Sequence, residues 1–117
     1  MSPRPGAGRK RSLRPLVRRH LADIDVARAL DGYLAESPRA AAGFLRALER
    51  AYSHIRRAPE SGSPRAGQET NLPGLRSWPC HRYPFVVFYM PLDDRIEIWR
   101  VLPALADIPS WLRGGTP

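Results

Sequence analysis

Residues 83–102 read Tyr-Pro-Phe-Val-Val-Phe-Tyr-Met-Pro-Leu-Asp-Asp-Arg-Ile-Glu-Ile-Trp-Arg-Val-Leu, and this stretch decides the fold. Tyr83 to Met90 is β-branched or aromatic almost throughout, the composition of a strand covered on both faces. Pro91, Leu92, Asp93 and Asp94 supply a turn. Arg95 to Leu102 then alternates, with Ile96, Ile98 and Arg100 predicted on one face and Glu97, Trp99 and Val101 on the other. Joined by so short a turn, the two strands form an antiparallel hairpin. A strand that is apolar on both faces needs helices on one side of its sheet and a loop or a partner on the other.

The segments upstream supply the cover. Leu75 to His81 reads as a modest strand that Pro79 restricts to an edge or a bulge. Before it, Ala58 to Gly74 holds Pro59, Gly62, Pro64, Gly67 and Pro73, which predicts a long, stiff surface loop. Ser37 and Pro38 mark a helix start, a hydroxyl cap followed by a proline whose missing donor costs nothing in the first turn. That helix is predicted to run to about Arg57, with Ala41, Phe44, Leu45, Leu48, Tyr52 and Ile55 as its apolar stripe. An earlier helix is expected over about Ala22 to Ala35, its apolar face made by Leu21, Ile24, Ala27, Leu30 and Leu34, with Asp23 and Asp25 in the first turn. The short link makes the helices an antiparallel pair. Leu16 to His20 is a candidate first strand.

The expected architecture is therefore α+β: an N-terminal strand and an antiparallel helical hairpin packed on a small antiparallel sheet. With 117 residues and an apolar fraction of 43%, one core is the expectation. The divisions are a disordered basic arm at 1–15, a domain at 16–113 and a flexible end at 114–117. A short amphipathic turn containing Asp107, Ile108, Trp111 and Leu112 precedes that end.

The formal charge of +8 changes meaning once it is divided along the chain. Residues 1–19 hold seven positive charges and no carboxylate, while the remainder has 12 arginines against 11 acidic residues. Attraction to polyanions is thus expected mainly from the arm, which also reads as a solubilising tail. Lys10 is the only lysine, so the body has no group for Schiff-base chemistry. Cys80 is the only cysteine, which excludes an internal disulfide and fits a reducing cytoplasm. No apolar run is long enough to span a bilayer, and no apolar stretch follows the basic start as in a secretory signal.

Little in the body points to a cofactor. His20, His54 and His81 lack metal-ligand spacing and are expected in the first strand, a helix and a later strand; no metal or cofactor site is predicted. The clustered polar feature is Arg76, His81, Arg82 and Arg100, interleaved with Trp78, Tyr83 and Trp99. Metal-free RNA cleavage needs a base, an acid and cations on the phosphate, for which His81, Arg82 and Arg100 are the candidates. The same residues also read as a strand histidine, ion-pair arginines and packing aromatics.

Leu-Ala-Asp-Ile-Asp-Val-Ala at 21–27, Ser37-Pro38-Arg39-Ala40-Ala41, Pro59-Glu60-Ser61-Gly62, Leu72-Pro73-Gly74-Leu75-Arg76, Arg82-Tyr83-Pro84 and Ile98-Trp99-Arg100-Val101-Leu102 occur in that order. In this order and spacing the chain resembles the ParE branch of the RelE/ParE toxin superfamily over about residues 17–113. The resemblance implies the toxin half of a bacterial type II toxin–antitoxin pair, associated with plasmid stabilisation. A cognate antitoxin would hold it in a hetero-oligomer and contact operator DNA on its behalf. The implied activity is inhibition of DNA gyrase by binding, without catalytic residues. Arg76, Trp78, Arg82, Tyr83, Trp99, Arg100 and Trp111 are the candidate contacts to target or partner. The other branch cleaves messenger RNA on the ribosome with basic residues and often a C-terminal tyrosine. This chain has no lysine in its body and no tyrosine beyond Tyr89. It also has Pro103 where family members commonly carry histidine.

Overall fold

The structure, a computed structural model, describes residues 13–106 and Leu112. In chain order the elements are β1 (Leu16–Arg18), α1 (His20–Glu36), α2 (Pro38–Arg57), a 3-10 turn (Pro59–Ser61), α3 (Arg65–Thr70), β2 (Arg76–Cys80), β3 (Phe85–Pro91) and β4 (Ile96–Pro103). The sheet order is β1-β4-β3-β2. Expectations for the first 12 residues, for Trp111 and for 114–117 lie outside the described residues.

One residue separates the long helices. Ser37 closes α1 through its N–H, which donates to Tyr33 O at 3.0 Å, and opens α2 by accepting from Ala40 N, also at 3.0 Å. Such a cap contributes about 1 kcal/mol, and Pro38 takes the first position as predicted. The stripe on α2 buries Ala41, Phe44, Ala47, Leu48, Ala51 and Ile55, while Leu45 stays 39% exposed.

The sheet is mixed, where an antiparallel one was expected. β2, β3 and β4 are antiparallel, but β1 runs parallel to β4, with Leu16 opposite Ile96 and Arg18 opposite Ile98. A crossover through both helices intervenes, so no tight turn dictates the direction of β1. Arg14 and Pro15, assigned to the arm by composition, are hydrogen-bonded to the body: Arg14 Nη1 donates to Leu92 O, and Pro15 O accepts from Ile96 N.

Three local expectations are corrected. α1 packs on Ala22, Asp25, Val26, Ala29, Leu30 and Tyr33, whereas Leu21 and Leu34 are exposed. Its buried face is therefore rotated toward small residues and a carboxylate. The loop from Ala58 to Gly74 contains the 3-10 turn and α3, and its Ser63 bridges Ser77 at the edge of β2. In β4 the register steps from Arg100 opposite Phe88 to Ile98 opposite Tyr89, skipping Trp99. This bulge breaks strict alternation, so Val101 joins Ile96 and Ile98 under the helices.

Both faces of the sheet are covered. The helices lie over Cys80, Val87, Tyr89, Ile96, Ile98 and Val101. On the opposite face Leu75, Phe88 and Leu102 meet Leu112, with Ala66 and Leu72 packed beside them. The chain thus supplies its own second cover. Tyr89 fastens the loop to the sheet, its hydroxyl donating to Pro59 O at 2.8 Å and accepting from Gly62 N at 3.0 Å.

Candidate functional site

The polar residues grouped by the sequence are separated by the fold. Arg100 is buried, and its guanidinium meets Asp25 through Nε to Oδ2 at 2.7 Å and Nη2 to Oδ1 at 2.9 Å. The cause is topological. β1 pairs with β4 only as far as Ile98, after which Arg19 leads into α1 and the edge of β4 lies bare. Asp25 fills the gap by also accepting from Val101 N at 3.0 Å. The sequence offered Asp25 as a first-turn carboxylate, but that place belongs to Asp23, which pairs with Arg18 at 3.0 Å.

Trp99 faces the opposite side of the sheet, beside Leu75, Phe88 and Leu102. Arg19 lies over its ring at 4.6 Å, and its Nε1 donates to Glu97 at 3.0 Å. That bond holds the Glu97 carboxyl below the usual range. Arg76, on β2, donates to Gly62 O at 2.7 Å and lies 3.4 Å from Glu60. Tyr83 packs edge-on to Tyr33 and Phe44, with ring centroids 5.3 and 5.8 Å away.

His81 was expected to end one strand and Arg82 to lie between two. They occupy the exposed turn between β2 and β3, where Tyr83 N donates to Cys80 O, and Arg82 has φ of 76°. His20, likewise expected in strand, opens α1. A side chain at positive φ is costly unless its surroundings hold it. The turn brings His81 to a small cleft of about 180 Å³ lined by Ala47, Arg50, Ala51, His54, Trp78 and His81. Within it His54 stacks on Trp78 at 3.7 Å, and His81 stands edge-on to the same indole at 6.0 Å. Ser61 uses its only proton on Ala58 O, so His54 Nε2, 2.8 Å from Ser61 Oγ, is the donor.

Arg50 and His54 were missed as site residues. Their signal was position: both fall on the flank of α2 beside its apolar stripe, a placement that acquires meaning only when β2 arrives. Cys80 lies buried in the same core, where desolvation pushes its thiol up, against nucleophilic use. Among the described residues no group of three His, Cys, Asp or Glu side chains could hold a metal ion, and no helix is long and apolar enough to cross a membrane.

The family described as ParE toxin of type II toxin-antitoxin system, parDE, matches residues 13–107. Among solved structures, a chromosomal ParDE TA system from P. aeruginosa is similar with a TM-score of 0.64 and 19% identity, covering 77% of this chain and 95% of that one. At that identity the likeness concerns the fold. No curated protein sequence gives a significant match.

Proposed function

The chain belongs to the ParE toxin family of type II toxin–antitoxin systems, and from that premise we propose that it acts by binding DNA gyrase and does not cleave RNA. The observation that carries this reading is the engagement of Arg100. RNA cleavage needs an acid, a base and a phosphate clamp on one substrate. Of the three candidates, His81 and Arg82 are exposed in a turn, whereas Arg100 is only 5% exposed and its guanidinium is bound to Asp25. A guanidinium so engaged supports the sheet and does not reach a phosphate.

A cognate antitoxin forms a hetero-oligomer with the chain in the cytoplasm and provides the contact to operator DNA. Leu21, Leu34 and Leu45 on the helical hairpin remain 39–50% exposed, which suits an apolar partner segment. The test is induced expression with two readouts, accumulation of cleaved DNA and integrity of translated messages. Cleaved DNA with intact messages is the expected result. Prompt message cleavage that disappears in His81→Ala or Arg82→Ala overturns the proposal in favour of a ribosome-dependent endoribonuclease.

A further inference from the structure

The near-balanced charge of the body conceals a segregation between its two long helices. α1 carries Asp23, Asp25, Asp31 and Glu36 against Arg28 alone, whereas α2 carries Arg39, Arg46, Arg50, Arg56 and Arg57 against Glu49 alone. Arg39, Arg46, Arg50 and Arg57 follow one another at spacings of seven, four and seven. At about 100° per residue these four project within about 40° of one another, in a row roughly 27 Å long. All four are exposed. Arg39, Arg46 and Arg50 have no ion-pair partner among the described residues. Arg57 lies along Ser53, and Arg56, off the row, is used on Arg14 O.

Arg46 and Arg50, four residues apart, repel and cost the helix some stability. The fold gains no ion pair from Arg39, Arg46 or Arg50 in return. We propose that this face of α2 binds the sugar-phosphate backbone of duplex nucleic acid. Guanidinium forks match phosphate oxygens, and a straight row of them suits a polyanion. Between and beside the arginines the same face carries Ala42, Gly43, Glu49, Ser53 and His54, with no large apolar side chain to anchor a protein interface. Single strands are held by stacking bases on open aromatic rings. Beside this row Trp78 is already stacked on His54, and Tyr83 is packed against Tyr33 and Phe44. Backbone reading of a duplex is what remains.

The inference is independent of the gyrase reading, since it is tested without gyrase. Binding of the full chain to a labelled DNA duplex is followed by fluorescence anisotropy from roughly 50 to 200 mM salt. Wild type is compared with Arg39→Gln/Arg46→Gln/Arg50→Gln, both carrying the same N-terminal arginines. The variant should bind more weakly, and its plot of log affinity against log salt should be shallower by about 2 to 3. The corresponding triple lysine variant keeps the steep slope, and Arg28→Gln on α1 changes nothing. Circular dichroism confirms that each variant is folded. Identical slopes for wild type and the glutamine variant overturn the proposal. So does row-dependent binding that prefers single-stranded RNA or a polyglutamate peptide to the duplex.

Discussion

Arg100 and Asp25 form a bidentate pair, 2.7 and 2.9 Å, that ties the edge of β4 to α1. Both side chains are almost wholly buried, 6% and 3% exposed, and Asp25 also satisfies Val101 N–H. A carboxylate that replaces a missing strand is therefore part of the sheet.

Removing one member strands the other. Arg100→Met alone leaves a buried carboxylate and should cost about 3–5 kcal/mol. Asp25→Asn/Arg100→Met keeps an acceptor for Val101 N–H and removes both charges. It should recover most of that loss, measured by urea unfolding. A double variant no more stable than Arg100→Met would show that the pair acts by shape rather than charge.

Gly43 and Tyr83 are fitted to each other. A Cβ at Gly43 would lie 2.2 Å from the Tyr83 hydroxyl but 3.5 Å from Cζ. The ring is held by Tyr33 and Phe44, so it cannot swing clear without losing those contacts. Gly43→Ala should destabilise the native protein despite alanine's better helix propensity. On a Tyr83→Phe background the same change should stabilise by up to about 1 kcal/mol. Thermal melts of the four proteins close the cycle, and an additive result would mean that the two residues are not coupled.

Tyr52 carries a buried hydroxyl with no hydrogen-bond partner among the described residues. Burial pushes its phenol above the ordinary 10.0, against a downward pull from Arg18. The native state then holds the proton after the unfolded chain has released it. Its stabilising contribution is complete below the unfolded value and is lost as pH rises beyond it. Tyr52→Phe should flatten this alkaline decline in denaturation curves. At neutral pH it should leave stability unchanged or raise it by up to about 1 kcal/mol. Tyr33, Tyr89 and Cys80 are shifted upward by burial too, so part of the decline persists in the variant.

Elements with strong local signals were legible at once. Ser37 and Pro38 placed a helix start, and the run from Tyr83 to Met90 placed a strand whose first two residues fall in the preceding turn, because capping and β-branched packing act within a few residues. α3 was not legible, since a six-residue helix between prolines and glycines has no periodicity to display. The candidate site was legible only as a set of residue types. Trp78, His81 and the missed pair Arg50 and His54 meet at one cleft, but Arg100, which seemed to belong with them, is bound to Asp25.

The α+β class, the helical hairpin, the strand hairpin and, through the ordered motifs, the toxin family could be read from the residues in order. These rest on short-range chemistry that a string of residues displays. The parallel placement of β1, the bulge at Trp99 and the partner of Arg100 arise only when distant segments meet. The last follows from where β1 runs out beside the longer β4, at Ile98. There a backbone donor and a guanidinium must find an acceptor, and the carboxylate that meets both comes from 75 residues earlier in the chain.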